Sequence, residues 1–424
     1  MFAFLHGQNL NTYVYAPKGD PYQRLEWRLP YPAAKIAQMK TLIAGAARDH
    51  VRFVYSISPG MTGISGAAEA DSITYSSPRD RQALEAKIDQ LRAAGVRTFM
   101  LSFDDIYTTL KPADQRVYGS NYAMAQMQLA NRIYADERKR QPAFQLWFVP
   151  TTYYGVVDNP YWQTLRSTLN RNIPAIWTGK WVLNQTITSA QTATVTHLLG
   201  RQPIVWDNYP VNDYTYDPGR QPQLMMGPLE GRGPTLPEHM AGYISNPMLQ
   251  PDASKLALQT IVQYLRHPST YRPVAAWNQA VAHMPGITNP ALFKLFAVFN
   301  AASTLNPGGF APMAAMTSRY EAASSNAQRQ AAGRPLAAEF KKLAALPRTL
   351  PPTIIDQELR REIQPWLLKL GAEGQGGLAA LAVRENPNPA NQARLASALQ
   401  GVMQSPYHIG GHIIEFMQWV ESHP

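Results

Sequence analysis

Over its first two-thirds the chain alternates short apolar runs with amphipathic helical segments, and nothing else in the sequence restricts the fold as much. Apolar runs occur at Leu10–Pro17, Val51–Pro59, Thr98–Ile106, Phe144–Pro150, Ala175–Thr178, Pro203–Tyr209 and Leu224–Pro228. Segments with helical spacing lie between them. Ile36, Met39 and Ile43 share a face over 32–49. Leu84, Ile88 and Leu91 share one in a helix that Ser77-Pro78 opens and Gly95 closes. Further helices are expected near 120–140, 161–169, 190–199 and 255–266. Strands and helices alternating at this spacing predict a parallel sheet wrapped by helices, an α/β fold of (β/α)8 TIM-barrel type. In such a fold the active site gathers at the carboxyl ends of the strands.

Seven strands are legible rather than eight, and the chain opens on what reads as the tail of a helix, MFAFLHGQ. The expected architecture is therefore a barrel over 1–271 whose first strand is missing from this chain. From about Arg272 the strand signal stops, and 274–283, 290–303, 339–346, 355–370, 390–403 and 412–420 carry helical patterns, which predicts an all-α domain over 272–424. The stretch around Gly374 and Gly376 reads as a loop, because no strand precedes it and no nucleotide fingerprint surrounds it. Loops are also expected at 386–389 and 347–352.

Composition removes several chemistries. The 424 residues are 45% hydrophobic and 16% charged, enough for a sizeable core. There is no cysteine, so disulfides, thiolate catalysis and cysteine-bound metals are excluded. Nine histidines form no HExxH pair. His408 and His412 have i, i+4 spacing, but Gly410-Gly411 breaks the helix between them, so no metal site and no cofactor is expected. No nucleophile elbow is present. The net charge of +10 is spread along the chain with one basic run, Glu137–Arg140, so a generally basic surface is expected and no nucleic-acid partner. No segment approaches the roughly 20 apolar residues of a membrane span. The N-terminus lacks a basic region ahead of its apolar residues, so no signal peptide is read in this chain, and a secreted, periplasmic or cytoplasmic location stays open.

The candidate chemistry sits at strand ends. Asp104-Asp105 closes the apolar run LSFDDI, where each acid must be solvated, paired or used. Two close carboxylates push their proton affinities apart, which suits an acid and a charged partner, although a helix cap or loop pair accounts for them equally well. Tyr153, Trp177 and Trp206 follow other strands, with Asn208 and Asp213 close behind. Sugars have apolar faces and polar edges, and aromatic platforms with amide and carboxylate partners suit them.

Several separated motifs then continue in order: NTYVYAPKGDPY from Asn11, ISPG from Ile57, FDDI from Phe103, PTTY from Pro150, WTG from Trp177, WDNYPVND from Trp206, GPLEGR from Gly227 and NPM from Asn246. Over roughly 10–303 the chain resembles glycoside hydrolase family 84, the bacterial and eukaryotic O-GlcNAcase-type β-N-acetylglucosaminidases, a group that extends to hyaluronidase-like enzymes. The resemblance implies a retaining exo-enzyme that removes terminal β-linked GlcNAc from proteins or glycans. The substrate's own acetamido oxygen would serve as nucleophile, through an oxazoline. It implies that Asp104 orients the acetamido group and that Asp105 is the acid and then the base. It further implies that Lys18, Asn208, Asp213 and Asn246 bind the sugar, that Tyr153 lies near the acetamido oxygen, and that Trp177 and Trp206 wall the N-acetyl pocket. The implied partner is a GlcNAc-bearing glycoprotein or glycan, and a homodimer is compatible with it. Family members open with a strand bearing an EGFYG-like motif that is not found here, matching the absent first strand. A GlcNAc-binding protein impaired by truncation is therefore the alternative.

Overall fold

The computed structural model describes residues 1–60, 71–307 and 310–423. The chain divides into two compact units. The first comprises Met1–Asp207 with Arg232–Ile244, and the second Asn208–Gly231 with Ser245–Pro424.

In the first unit a short helix, Phe2–Gly7, leads into strand β1 (Thr12–Tyr15). It is followed by β2 (Arg52–Ile57), β3 (Thr98–Ser102), β4 (Gln145–Val149), β5 (Ile176–Trp177), β6 (Ile204–Asp207) and β7 (Gly242–Ser245). β1 to β4 form one sheet in chain order and β5 to β7 a second, and a parallel bridge between Phe148 and Ala175 links them. The pairing is parallel, with Tyr15 opposite Tyr55, Ile57 opposite Leu101, Ser102 opposite Val149 and Ile176 opposite Ile204. Helices Ala33–Arg48, Pro78–Ala93, Tyr122–Arg140, Pro160–Thr168 and Ser189–Leu199 alternate with the strands, so the mixed α/β class read from the sequence is observed. Their starts follow capping chemistry. Ser77 accepts from Asp80 N with Pro78 at the first turn, and Thr188 and Gln191 form a capping box.

Strand alternation divides the core into two layers. Phe53, Tyr55 and Ile57, then Phe99, Leu101 and Phe103, then Leu146 and Phe148 pack with Met39, Ile43, Leu84, Ile88, Met127 and Ile133 of the helices. On the opposite face Val54, Met100, Trp147, Val149, Tyr153, Ile176 and Ile204 form a smaller cluster, with Val14, Ala16, Trp206 and Ile244 partly buried against it.

One strand lies elsewhere than the sequence suggested. Leu224–Pro228 is buried but is not a strand. Its backbone is satisfied piecemeal within the second unit. Trp277 donates to Met226 O at 2.8 Å, Tyr209 to Gly227 O at 2.8 Å and Asn306 to Pro228 O at 2.7 Å. The last strand is instead Gly242–Ser245, a run too short and too polar at its ends to announce itself.

The second unit is helical, with Pro251–Arg266, Pro273–Ala282, Pro290–Ala297, Ala314–Glu321, Asn326–Thr349, Gln357–Glu385, Pro389–Gln404 and Ile413–Ser422. Gly374 and Gly376 lie inside the 29-residue helix Gln357–Glu385, not in a loop. A Cβ at Gly374 would stand 2.5 Å from Ala344 N and 2.9 Å from Phe340 O, so the helix Asn326–Thr349 touches this one almost backbone to backbone. The glycines are there for that approach, and packing outweighs their poor helix propensity. Pro347 likewise falls within a helix rather than a loop.

Candidate active site

The inner face of the first unit turns polar toward the carboxyl ends of its strands. Val14 and Ala16 are followed at the same parity by Lys18, Val54 by Ser56, and Met100 by Ser102 and then Asp104. Ser56 and Ser102 share a hydrogen bond of 2.8 Å, which ties β2 to β3 one step below the acid. Asp104 thus continues the inner face by alternation alone.

Asp105 has the opposite parity, yet its backbone is left-handed, with φ of 50°. A non-glycine residue there is uncommon, though Asp tolerates it better than most. The turn brings its carboxylate to Tyr153, an inner-face residue, whose hydroxyl donates to Asp105 Oδ1 at 3.0 Å. Two neighbours in sequence are therefore given different surroundings: Asp104 is half-buried and Asp105 exposed.

Burial pushes the Asp104 carboxyl above its ordinary range. Arg24 opposes that rise, Asp105 adds to it, and Lys18 opposes it more weakly. Lys18 is exposed at the end of β1. Burial, followed by the charge and hydrogen bond of Asp105, holds the Tyr153 hydroxyl protonated well above its usual range, so it stays a donor.

Tyr153 is positioned by the loop after β4. Buried Gln126 donates to Thr151 Oγ1 at 2.9 Å and accepts from Tyr161, whose hydroxyl also accepts from Thr151 N at 3.0 Å. Thr178 N donates to Tyr153 O at 2.9 Å, so the loops after β4 and β5 are laced together.

Trp206 has inner-face parity and packs with this cluster. Its indole N–H is buried and finds no acceptor among the described residues. Such a donor commonly awaits a ligand or water. Trp177 is different. It is the second residue of β5, so alternation turns it to the helix-facing layer, 0% exposed, with its indole N–H on Gly155 O at 2.9 Å. The structure does not bring Trp177 together with the two acids.

In the second unit Asn246 donates to Asn208 Oδ1 at 3.0 Å, so these two predicted residues are brought together. Asp213 opens the 3-10 turn Asp213–Tyr216 and accepts from Tyr214 N at 2.8 Å.

Sequence reading passed over the support of Trp206. Its neighbour Asp207 points outward and accepts two hydrogen bonds from Arg232, at 2.7 and 2.6 Å, with both side chains nearly inaccessible at 1% and 2%. Tyr243 of β7 donates to the same carboxylate. The GPLEGR motif contains Arg232, but no spacing rule links it to Asp207. Among the described residues no group of three or more His, Asp or Glu is placed to hold a metal ion.

A half-buried acid beside an exposed one, at the carboxyl end of a parallel strand and served by a tyrosine, is an arrangement suited to proton transfer. A family model described as beta-N-acetylglucosaminidase matches residues 1–299, and the chain belongs to that family. It is 34% identical over 272 residues to the protein O-GlcNAcase of Rattus norvegicus and equally to that of Mus musculus. The aligned part is 63% of this chain and 28% of each of those proteins, so the chain spans well under a third of the curated relatives' length. Among solved structures it is similar to a mutant of the Thermobaculum terrenum O-GlcNAc hydrolase, with a TM-score of 0.86 and 29% identity, covering 99% of this chain and 90% of that one. It is also similar to CpGH84B, with a TM-score of 0.81 and 26% identity, covering 99% and 73%.

Proposed function

We propose that the chain is a retaining exo-β-N-acetylglucosaminidase that removes terminal β-linked GlcNAc, with 1–271 as its catalytic domain and 272–424 as a helical one. The observation that carries this reading is the split of Asp104 and Asp105: one half-buried on the inner face, the other turned out on a left-handed residue and held by Tyr153. Family membership and the named relatives support it.

In the proposed reaction Asp104 accepts from the acetamido N–H of the sugar and turns the acetamido oxygen onto the anomeric carbon. That oxygen forms the new bond as the glycosidic bond breaks, and Asp105 gives its proton to the departing oxygen. The oxazoline is then opened by water, whose proton returns to Asp105, and the configuration is retained. An intramolecular nucleophile can supply about 7–11 kcal/mol, and a positioned proton donor about 10²–10⁴-fold in rate. Enzymes of this type are the substrate-assisted exception to the scheme with an enzyme nucleophile. Trp206 is assigned the N-acetyl wall, where its free indole N–H has an acceptor to meet. Lys18, Asn208, Asp213 and Asn246 are assigned to sugar hydroxyls on their motifs. Trp177 is assigned to the support of the Tyr153 loop rather than to the sugar.

The test is release of nitrophenol from an aryl β-N-acetylglucosaminide and its inhibition by a thiazoline mimic of the intermediate. Asp105→Asn is expected to lower kcat by at least 10²-fold while still binding the thiazoline. Unchanged turnover in that variant would sink the assignment, and sugar binding without turnover by the unmodified chain would make it a lectin-like protein instead.

A further inference from the structure

We propose that Asp20 is a positioning residue for sugar binding, its carboxylate clamping the turn 17–20 that presents Lys18 at the carboxyl end of β1. What the turn is held for rests on the function proposed above, in which Lys18 meets a sugar hydroxyl; how it is held does not.

Strand β1 ends at Tyr15, and the parallel register sets Tyr15 level with Tyr55 and Tyr55 level with Phe99. Lys18 and Asp104 therefore leave the sheet at the same end, one after β1 and the other after β3. Pro17, Lys18 and Gly19 are all exposed, and a Cβ at Gly19 would meet nothing within 4 Å. Packing thus does little to fix this segment. A backbone bond closes it, Asp20 N donating to Pro17 O at 3.2 Å.

The side chain of Asp20 supplies the rest. Its Oδ1 accepts from Tyr22 N at 3.0 Å, and its Oδ2 accepts from the Tyr15 hydroxyl at 2.7 Å and the Tyr31 hydroxyl at 2.6 Å. Tyr31 is 4% exposed and Tyr55 0%, and their hydroxyls lie 2.9 Å apart. Tyr31 gives its proton to Asp20, so Tyr55 is the donor in that second bond. Tyr15 stacks on Tyr55 with ring centroids 5.9 Å apart. The buried Lys87 donates to Tyr22 O at 2.7 Å and stands 4.6 Å over the Tyr31 ring. One carboxylate thereby ties the turn to β1, through Tyr31 and Tyr55 to β2, and through Tyr22 and Lys87 to the helix Pro78–Ala93. Bonds to an ionised acceptor are the stronger kind. An Asn at this position would offer one acceptor oxygen to three donors.

The lysine stem is flexible, so its ammonium meets a given hydroxyl repeatedly only when the backbone beneath it is fixed. Fixing it beforehand spares that ordering cost when the sugar binds. Asp20 is committed to its three donors and acts through Lys18, not on the sugar.

The experiment compares Asp20→Asn, Asp20→Ala, Lys18→Met and the double variant Asp20→Ala/Lys18→Met in the full chain, by kinetics on the aryl glycoside and calorimetry with the thiazoline. Asp20→Ala is expected to raise KM and weaken thiazoline binding about tenfold, with kcat changed less, and Asp20→Asn to recover part of the loss. In the Lys18→Met background the same Asp20→Ala change is expected to cost nothing further, as for two residues acting as one unit. A folded Asp20→Ala variant with unchanged KM and thiazoline affinity overturns the proposal, and so does a loss of equal size with and without Lys18. Should Asp20→Ala fail to fold, Tyr15→Phe takes its place, deleting one bond and keeping the ring. Its expected loss is about threefold, and the same two results count against the proposal. If the wild-type chain binds the thiazoline without turning over the glycoside, the enzymatic reading fails, and the cycle run on thiazoline affinity still decides the role of Asp20. A wild-type chain that does neither overturns both.

Discussion

At the scale of single residues, the proposed site depends on giving two adjacent aspartates different neighbours. Tyr153 is the residue that differentiates Asp105, and its hydroxyl stays a donor because burial and the nearby carboxylate both oppose its ionisation. Removing one hydrogen bond to a charged group is worth about 1.5–3 kcal/mol. Tyr153→Phe is therefore expected to lower kcat about 10- to 100-fold with KM changed less, measured on the aryl glycoside at saturating and limiting substrate. A fall in kcat/KM carried by KM alone would mean that Tyr153 only binds the sugar. The dyad was legible from the apolar run that ends on it. The tyrosine's partner was not, because it depends on a backbone turn at Asp105 that no local rule demands. Trp177 shows the same limit in reverse. Aromatic character at a strand end suggested a sugar wall, but in a two-residue strand one step of alternation separates the cavity from the core.

At the scale of elements, what periodicity could reveal was helix and strand identity, and capping chemistry fixed several starts. Ser77-Pro78 and Gly95 bound their helix within a residue of where the sequence placed it. The misplaced last strand and the glycines of Gln357–Glu385 share one cause. Both depend on a partner distant in sequence, whether Trp277 and Asn306 around Met226 and Pro228 or Phe340 and Ala344 against Gly374. β6 adds a further dependence of this kind, since its end is held from outside by Arg232 and Tyr243. Breaking a buried pair by removing one partner costs about 3–5 kcal/mol. Arg232→Met should lower the thermal midpoint of unfolding by many degrees, and the double variant Asp207→Asn/Arg232→Met should recover part of the loss. A double variant no more stable than the single one would show that the pair is not what holds β6.

At the scale of the whole chain, the stability is expected to carry a signature of buried charge in the helical unit. Glu373 is 2% exposed, faces Lys369 at 3.9 Å, and is pushed up to about 8 by burial, against an ordinary 4.5. The folded chain therefore keeps this proton where the unfolded chain has lost it. The contribution is complete below about 4.5, declines as pH rises, and is gone once pH passes about 8. His408 works in the opposite sense but below its ordinary 6.5, since burial lowers it. Between pH 7 and 8 the wild type should lose about 1 kcal/mol more than Glu373→Gln, read as diverging thermal midpoints. Parallel curves over that interval would mean Glu373 is already ionised in the folded chain.

The left-handed backbone at Asp105 has a bearing on how this protein would respond to random variation. Asn and Gly are at ease in that conformation, whereas β-branched or bulky side chains strain it. A library randomised at position 105 should divide under two screens: selection for soluble abundance would retain Asp, Asn and Gly, and selection for turnover would retain Asp alone. The inactive Asn form would then be as durable as its parent, and on the proposed function it would hold a GlcNAc-bearing ligand without cleaving it.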